Sequence, residues 1–321
     1  MAGASISVQD FVMRFGERTV VDGLSFDIAP GETFGLLGSN GSGKTTTIRA
    51  LLGITTPTAG TLTIDGHPYR PAAGGIGYLP EERGLYRKES VIDVMTYFGV
   101  LRGLPRAAAT GWSMDYLARV GLADRAKLRI DKLSGGQQQK VQLGITIMDR
   151  PRLLILDEPT KGLDPVNRRL LLDLVDERKA DGATVVLVTH HMDEVERLCD
   201  RILLLKDGGA AAYGTVAEVQ DAFGGAVAKV SLSGAVPPSD RYRLARHEGH
   251  VAYLVPRPDA AADGSDILAE LVTAGVHVTG FEMRRIPLDE IFVQLYGHDA
   301  GTDAPVPARM MSSMTGSGAA A

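Results

Sequence analysis

The fold is decided by Gly38-Ser-Asn-Gly-Ser-Gly-Lys44-Thr45, which fits the phosphate-binding pattern G-x-x-x-x-G-K-[ST]. The apolar run Phe34 to Leu37 leads into this segment, and a helical pattern from Thr46 to Leu52 leads out of it. Glycines allow successive backbone N–H groups to turn toward one anion without a Cβ clash. A strand, a glycine-rich loop and a helix in this order predict a nucleotide-phosphate site within an α/β domain.

The helix that follows the loop adds its N-terminal partial positive charge to the site, which favours a polyphosphate. In such loops the lysine, here Lys44, neutralises the β- and γ-phosphates of the nucleotide, and the hydroxyl of Thr45 is a ligand of Mg²⁺. A glycine-rich turn that contains Lys-Thr by chance is the alternative, and the flanking strand and helix argue against it. The loop residues expected to contact the nucleotide are Gly38, Ser39, Asn40, Gly41, Ser42, Gly43, Lys44, Thr45 and Thr46.

Composition limits the classes of protein to which this chain can belong. Its 321 residues suggest about two domains, and 34 basic against 39 acidic side chains give a net charge of −5. A concentrated basic face for nucleic acid is therefore not expected. One cysteine, Cys199, excludes an intrachain disulfide framework, and no apolar run approaches the ~20 residues of a membrane span. We expect no signal peptide, so a function at a membrane would need another chain to supply the spans.

A pair of acids follows the apolar run Leu153 to Leu156, which ends in Asp157 and Glu158. A parallel strand buried on both faces has this pattern, and ligands of α/β proteins bind at its carboxyl end. Asp157 is expected to hold Mg²⁺, whereas Glu158 points elsewhere and can polarise the attacking water. Taken alone, an Asp-Glu pair would be interpreted as the start of a solvated loop. The phosphate-binding loop upstream favours a hydrolytic site instead.

A third motif, Leu133-Ser134-Gly135-Gly136-Gln137, precedes a helical stretch from Gln138 to Met148. It resembles the signature of the ATP-binding cassette (ABC) ATPases, and the resemblance covers most of residues 5–222. A serine and two glycines that open a helix form a second anion site. The resemblance implies that two cassettes enclose two ATP molecules, each held by the loop of one copy and by Ser134, Gly135, Gly136 and Gln137 of the other. A plain helix cap is the alternative.

Other positions match the same family. Gly162-Leu163-Asp164-Pro165 resembles its D-loop, where Asp164 would couple the two sites across the dimer. His190 follows the apolar run Thr184 to Val188 and resembles the switch histidine that contacts the γ-phosphate. The neighbouring His191 is expected to be structural. Phe15 occupies the position of the aromatic residue that stacks on adenine, and a simple core position is the competing interpretation.

Glu81 departs from the family pattern, because most cassettes carry a glutamine after the segment Gly77-Tyr-Leu-Pro80. An additional carboxylate beside a triphosphate is repulsive unless a cation lies between them. We therefore expect Glu81 to ligate Mg²⁺ directly or through water.

The predicted organisation is an α/β P-loop ATPase core with an antiparallel β subdomain and a helical subdomain, followed by a small α+β domain. The core spans 1–222, with the helical subdomain at about 85–132 and a helix capped by Ser90. The α+β domain spans 226–297, and 298–321 are expected to be a disordered tail because they lack aromatic residues. In the α+β domain we expect two strands joined through the Pro237-Pro238 turn, then a helix, a strand and a final helix.

The resemblance implies the ATP-hydrolysing subunit of a membrane transporter, with ATP and Mg²⁺ as cofactors. Its partners would be a second cassette, expected to be an identical copy, and a separate integral membrane permease, so the chain would lie in the cytoplasm at the inner face of the membrane. Weaker similarity of the Glu81 segment and the C-terminal unit to bacterial drug- and sodium-export cassettes indicates an exporter. One alternative is a soluble cassette ATPase that acts on nucleic acid or ribosomes, but the chain has a single phosphate loop and a single signature, which argue against it. The other is a non-catalytic nucleotide-binding regulator, against which Glu158 and His190 argue.

Overall fold

The computed structural model describes residues 3–68, 75–82, 84–223, 225–257 and 264–296. The chain divides into two compact units between Tyr213 and Gly214. The domain limits expected from the sequence, 1–222 and 226–297, stay a prediction, and the expected tail at 298–321 lies outside the described residues.

The first unit contains strands and helices, the last of which ends two residues beyond it. They are β1 (Ile6–Phe15), β2 (Arg18–Ile28), β3 (Thr33–Gly38), α1 (Lys44–Leu51), β4 (Ala59–Ile64), β5 (Ile76–Leu79), α2 (Val91–Leu101), α3 (Arg106–Arg119), α4 (Gly135–Ile147), β6 (Leu153–Asp157), α5 (Pro165–Ala180), β7 (Thr184–Val188), α6 (Met192–Leu198), β8 (Arg201–Lys206) and β9 (Gly209–Thr215). Two 3-10 turns, Ala123–Arg125 and Ile130–Lys132, lie between α3 and α4.

A six-stranded sheet in the order β5-β6-β7-β3-β8-β9 forms the centre of this unit. The pairs β5–β6, β6–β7, β7–β3 and β3–β8 are all parallel. Every residue of β6 and β7 is buried, as the continuous apolar runs predicted, because helices of an α/β unit cover both faces of a parallel sheet. The carboxyl ends of β3, β6 and β7 therefore meet at one edge, and the three predicted polar motifs begin there.

A separate antiparallel sheet has the order β2-β1-β4. Alternate side chains of β1, such as Ile6 and Val8, are buried, and the alternation changes at register shifts between Val8 and Met13. The antiparallel β subdomain implied by the family resemblance is thus confirmed.

The region expected to be helical contains α2, α3 and the two 3-10 turns, and no strand among its described residues. Ser90 caps α2 as predicted, because its hydroxyl accepts a hydrogen bond from the backbone N–H of Asp93. One face of α2 is buried at Val91, Val94 and Met95. In the described residues no helix is long and apolar enough to cross a membrane.

The second unit contains one four-stranded antiparallel sheet in the order β11-β12-β10-β13. Its elements are α7 (Val216–Ala222), β10 (Ala226–Ser233), β11 (Tyr242–Glu248), β12 (Val251–Pro256), α8 (Gly264–Thr273), β13 (His277–Arg285) and α9 (Leu288–Tyr296). Ile267 and Leu271 of α8 are fully buried in a core shared with Val230 and Leu254 of the sheet.

The sequence missed β11 and joined β10 to β12 through the Pro237-Pro238 turn. This prediction was wrong, because Pro237 and Pro238 connect β10 to β11 instead. Most side chains of β11 are exposed or half-buried, so the strand lacks the alternation that identified its neighbours. The final strand and helix lie where the sequence placed them.

Candidate active site

The site lies at the carboxyl edge of three adjacent strands. The phosphate loop follows β3, Asp157 ends β6, and His190 follows β7, which lies between the other two. Parallel pairing alone brings these three positions together, although the phosphate loop and His190 are more than 100 residues apart along the chain.

The phosphate loop requires glycine at defined points. A Cβ on Gly38 would lie 2.4 Å from Ser42 Oγ and 2.5 Å from the carbonyl oxygen of Leu205. Gly43 has φ = +108°, and a Cβ there would lie 2.9 Å from a methyl group of Val21. These glycines let the backbone fold tightly into a cradle that ends at Lys44, the first residue of α1.

Lys44 lies inside this cradle. Its Nζ donates hydrogen bonds to the carbonyl oxygens of Gly38 and Ser39, both at 2.8 Å. Burial lowers the pKa of Lys44, and the negative charges of Asp157 and Glu158 oppose that change. The ammonium group and the two carboxylates are thus close enough to interact.

The loop fits a polyphosphate. Ser42 Oγ is buried and has no hydrogen-bond partner among the described residues. Burying a hydroxyl without a hydrogen-bond partner costs free energy, and an acceptor such as a phosphate oxygen would supply that partner. The helix N-terminus at Lys44 adds backbone N–H groups that favour the same anion.

The donors expected for Mg²⁺ also fit a hard cation. Asp157 is 3% exposed, and burial raises its pKa to about 6, with the nearby charges of Glu81 and Glu158 acting in the same direction. A cation among these carboxylates would relieve their repulsion. Thr45 adds a half-buried hydroxyl at the start of α1, and carboxylate and hydroxyl oxygens are ligands that suit Mg²⁺.

No three His, Cys, Asp or Glu side chains of the described ranges cluster into a metal site made by protein alone. Mg²⁺ usually takes one or two carboxylates from a protein and completes its shell with water and substrate phosphates.

Glu158 has a backbone conformation that non-glycine residues rarely adopt, with φ = +50°. Its N–H donates to the carbonyl oxygen of Val188 on the neighbouring strand at 2.8 Å. His190 Nδ1 lies 2.8 Å from Glu158 Oε2, but the orientation makes no hydrogen bond, so this buried oxygen has no hydrogen-bond partner among the described residues. The predicted base and the predicted switch histidine thus lie side by side, the imidazole 60% exposed and the Glu158 side chain only 12% exposed.

The segment that resembles the family signature begins α4. Ser134 is the N-cap: its hydroxyl accepts from the N–H of Gln137 at 3.3 Å, and Gln137 Oε1 accepts from the N–H of Ser134 at 2.9 Å. This reciprocal pair is a capping box. A helix cap, the alternative interpretation of this motif, is therefore present. The anion site stays a prediction. The cap does not exclude it, because the first turn of a helix has more backbone N–H groups than one cap can bind.

Glu81 has a partner that the sequence did not predict. Lys161 Nζ donates to Glu81 Oε1 at 2.6 Å, and both side chains are about half exposed. The two residues are far apart in sequence, so no local pattern could have indicated the pair.

Phe15 and Asp164 occupy positions consistent with their expected roles, which stay predictions. Phe15 is 54% exposed at the end of β1, so the core interpretation was wrong and the ring can accept a stacked base. Asp164 caps α5, where its side chain accepts from the N–H groups of Val166 and Asn167. These hydrogen bonds hold the pKa of Asp164 below its ordinary value.

Sequence reasoning missed the side chains that support these loops from behind. Gln139 Nε2 donates to the carbonyl oxygen of Pro159 at 2.9 Å, which ties α4 to the loop that follows Glu158. Glu194 on α6 is fully buried and bonds to residues beside Glu158 and His190. A glutamine and a glutamate within helical stretches give no signal of such roles in a single sequence.

Comparison with known proteins gives a consistent result. A family model described as ABC transporter matches residues 21–161. An ABC transporter ATP-binding protein of Methanocaldococcus jannaschii is 45% identical over 67% of this chain and 79% of its own length. The Nod factor export ATP-binding protein I of Paraburkholderia xenovorans is 40% identical over 67% of this chain and 72% of its own. A solved structure described as the ATP-binding subunit of an ABC transporter has a TM-score of 0.63 and 32% identity, and covers 68% of this chain and 93% of that one.

The fold and the site define a P-loop ATPase with two accessory subdomains. The chain belongs to the ABC transporter family, as an ATP-binding subunit with ATPase activity. The alternative of a cassette that acts on nucleic acid or ribosomes is not favoured, because these relatives are described as transporter components.

Proposed function

We propose that this chain powers an exporter: ATP draws two copies together, hydrolysis releases them, and a separate membrane permease converts the cycle into transport. The observation that carries the proposal is the convergence of Lys44, Asp157, Glu158 and His190 at one edge of the sheet. The export direction rests on similarity to a protein described as a Nod factor export ATP-binding protein.

Each side chain has one assigned role in this proposal. Phe15 stacks on adenine, and Lys44 neutralises the β- and γ-phosphates within the loop. Glu158 orients and deprotonates the attacking water, and His190 contacts the γ-phosphate beside it. His190 is 60% exposed, so its imidazole is open to a γ-phosphate, and Glu158 lies beside it at 12% exposure.

Asp157, Thr45 and Glu81 would hold Mg²⁺. When bound, this ion neutralises charge on the transferred phosphoryl group. Glu81 must then exchange its contact with Lys161 for one with the ion or with its water.

Pairing of two copies would give the N-terminus of α4 a phosphate to bind. One loop suffices to hold a triphosphate, so Ser134, Gly135, Gly136 and Gln137 of one copy would complete the site of the other. Asp164, at the start of α5, would carry the contact between the two sites. Nucleotide charge then bridges the copies, and its loss after hydrolysis lets them separate.

The permease would dock on the helical subdomain close to Glu81. Tyr86 and Tyr97 are each about half exposed and stack edge to face, with ring centroids 5.7 Å apart. Exposed aromatic residues are common in protein interfaces. A partner bound here, next to a catalytic loop, would move when the two cassettes come together. The chain would accordingly lie in the cytoplasm, against the inner face of the membrane.

The decisive test replaces the proposed base. Glu158→Gln should bind ATP with normal affinity and hydrolyse it about 10²–10⁴ times more slowly, because it lacks a general base. Lys44→Ala, the matched control, should lose ATP binding itself. Steady-state hydrolysis, equilibrium binding of ATP, and co-purification of a multi-spanning membrane protein are the measurements. A normal hydrolysis rate in Glu158→Gln would refute the assigned base.

A further inference from the structure

The most completely bonded buried acid near the site is Glu194 on α6, whose side chain has no solvent exposure. Its Oε1 accepts hydrogen bonds from Thr160 Oγ1 and from Arg168 Nε, the latter at 2.6 Å. Its Oε2 accepts from Thr189 Oγ1 at 3.0 Å. One carboxyl group thus connects three other segments of the chain.

Two of those segments carry the proposed catalytic side chains. Thr160 is two residues after Glu158, and Thr189 immediately precedes His190. Both threonines are 2% exposed and direct their hydroxyls at Glu194, whereas His190 is 60% and Glu158 12% exposed. The carboxyl group of Glu194 therefore fixes the distance between the two loops from behind.

The third segment is the helix that begins at the D-loop. Arg168 lies in the first turn of α5, which Asp164 caps, and its guanidinium also bonds to both carboxylate oxygens of Asp193 at 2.8 Å. A displacement of Asp164 would move the first turn of α5, and Arg168 in that turn would move Glu194 through their hydrogen bond. The same carboxyl group would then transmit it to Thr160 and Thr189.

General energetics separate this role from simple structural stabilisation. A buried ionic cluster is often no more stable than apolar residues of the same volume, so stability alone does not account for it and a role in specifying geometry is open to test. Reacting groups displaced by about 1 Å can lose about 100-fold in rate. Glu158 also has an uncommon backbone conformation, which only surrounding contacts can maintain.

We propose that Glu194 is a positioning residue that holds Glu158 and His190 in register and links both to the helix that begins at Asp164. The inference rests on the proposed roles of Glu158 and His190. Because Glu194 has no solvent exposure, it would not touch a bound nucleotide. Its removal should therefore lower turnover per bound ATP and leave ATP binding intact.

The test uses substitutions that remove or weaken hydrogen bonds of Glu194; Thr189→Val also removes the bond that Thr189 Oγ1 accepts from the N–H of His191 at 3.1 Å. Thr189→Val and Glu194→Gln should each lower kcat about 10- to 100-fold, with the KM for ATP within about threefold of the parent value. Thr189→Ser keeps the hydroxyl and should retain most of the parent kcat. Rates are expressed per nucleotide-binding site, counted by equilibrium binding, so that a smaller folded fraction does not imitate the effect.

Glu177→Gln is the matched control, because it breaks the ion pair between Glu177 on α5 and Arg119 without touching Glu194. It should lower the melting temperature but leave kcat per site unchanged. Equal losses of kcat in Thr189→Val, Thr189→Ser and Glu177→Gln would overturn the inference, as would a parent-like kcat in Thr189→Val. The threonine variants decide the matter even if Glu194→Gln does not fold.

The outcome is distinguishable from failure of the proposed function. If Glu158→Gln is inactive while Thr189→Val has the parent kcat, only the positioning role fails. If Glu158→Gln has the parent rate, the assigned base itself is wrong.

Discussion

At the scale of single residues, Asp157 shows how the fold changes an ordinary side chain. Burial and the neighbouring carboxylates raise its pKa to about 6. In the unfolded chain an aspartate has a pKa of about 3.9, so between about pH 4 and pH 6 the folded protein keeps a proton that the unfolded chain has released. The free energy of unfolding contributed by Asp157 therefore falls as the pH rises through this window.

Asp157→Asn should consequently stabilise the nucleotide-free protein at pH 7.5 by up to about 3 kcal/mol, at about 1.4 kcal/mol per pKa unit. The gain should shrink toward zero near pH 4, where the parent carboxyl is also neutral. Urea unfolding in EDTA at several pH values measures it. Asp115→Asn, at an exposed position of α3, is the control, and an equal effect of pH on both variants would contradict the prediction.

Glu81 gives the second prediction at this scale. Glu81→Gln should keep ATPase activity but raise the Mg²⁺ concentration at half-maximal rate, because an amide is a weaker ligand than a carboxylate. Lys161→Met should shift the midpoint in the opposite direction, since it removes the ammonium group that binds Glu81 Oε1. The measurement is a Mg²⁺ titration at saturating ATP. An unchanged midpoint in Glu81→Gln would remove Glu81 from the metal site.

At the scale of elements, α4 serves both stability and the proposed pairing. Ser134→Ala removes the cap and should lower the stability of the cassette by about 1 kcal/mol. In the Glu158→Gln background it should also abolish ATP-dependent dimerisation, which light scattering coupled to gel filtration measures. The physical reason is that the hydroxyl and its helix N-terminus complete the partner's phosphate site.

The chain offers a matched control for this loss. Thr215 caps α7 with the same reciprocal arrangement, through Glu218. Thr215→Ala should therefore cost similar stability but leave ATP-driven pairing intact. Dimerisation that survives in Ser134→Ala would show that this segment is a helix cap and nothing more.

Element prediction succeeded where one physical signal was strong. The buried strands β6 and β7 were predicted from continuous apolar runs, and α2 from its serine cap and apolar stripe. It failed at β11, whose exposed polar residues give no alternation, and it did not identify β5, a short edge strand that contains Gly77. Such edge strands depend on pairing with a neighbour more than on their own composition.

At the scale of the whole molecule, parallel pairing assembled the site. Because β3, β7 and β6 are adjacent, Lys44, His190 and Glu158 lie at one edge of the sheet. No local sequence pattern predicts this strand order. The second unit is a compact α+β body with a core made mostly of apolar residues.

The sequence alone determined the phosphate cradle, the acids at the end of β6, the signature helix and the family, because each depends on residue types at fixed local spacing. Only the tertiary structure decided that Lys161 binds Glu81 and that Glu194 joins Thr160, Thr189 and Arg168. These contacts join segments remote in sequence, and burial and strand order, not local propensity, bring such segments together.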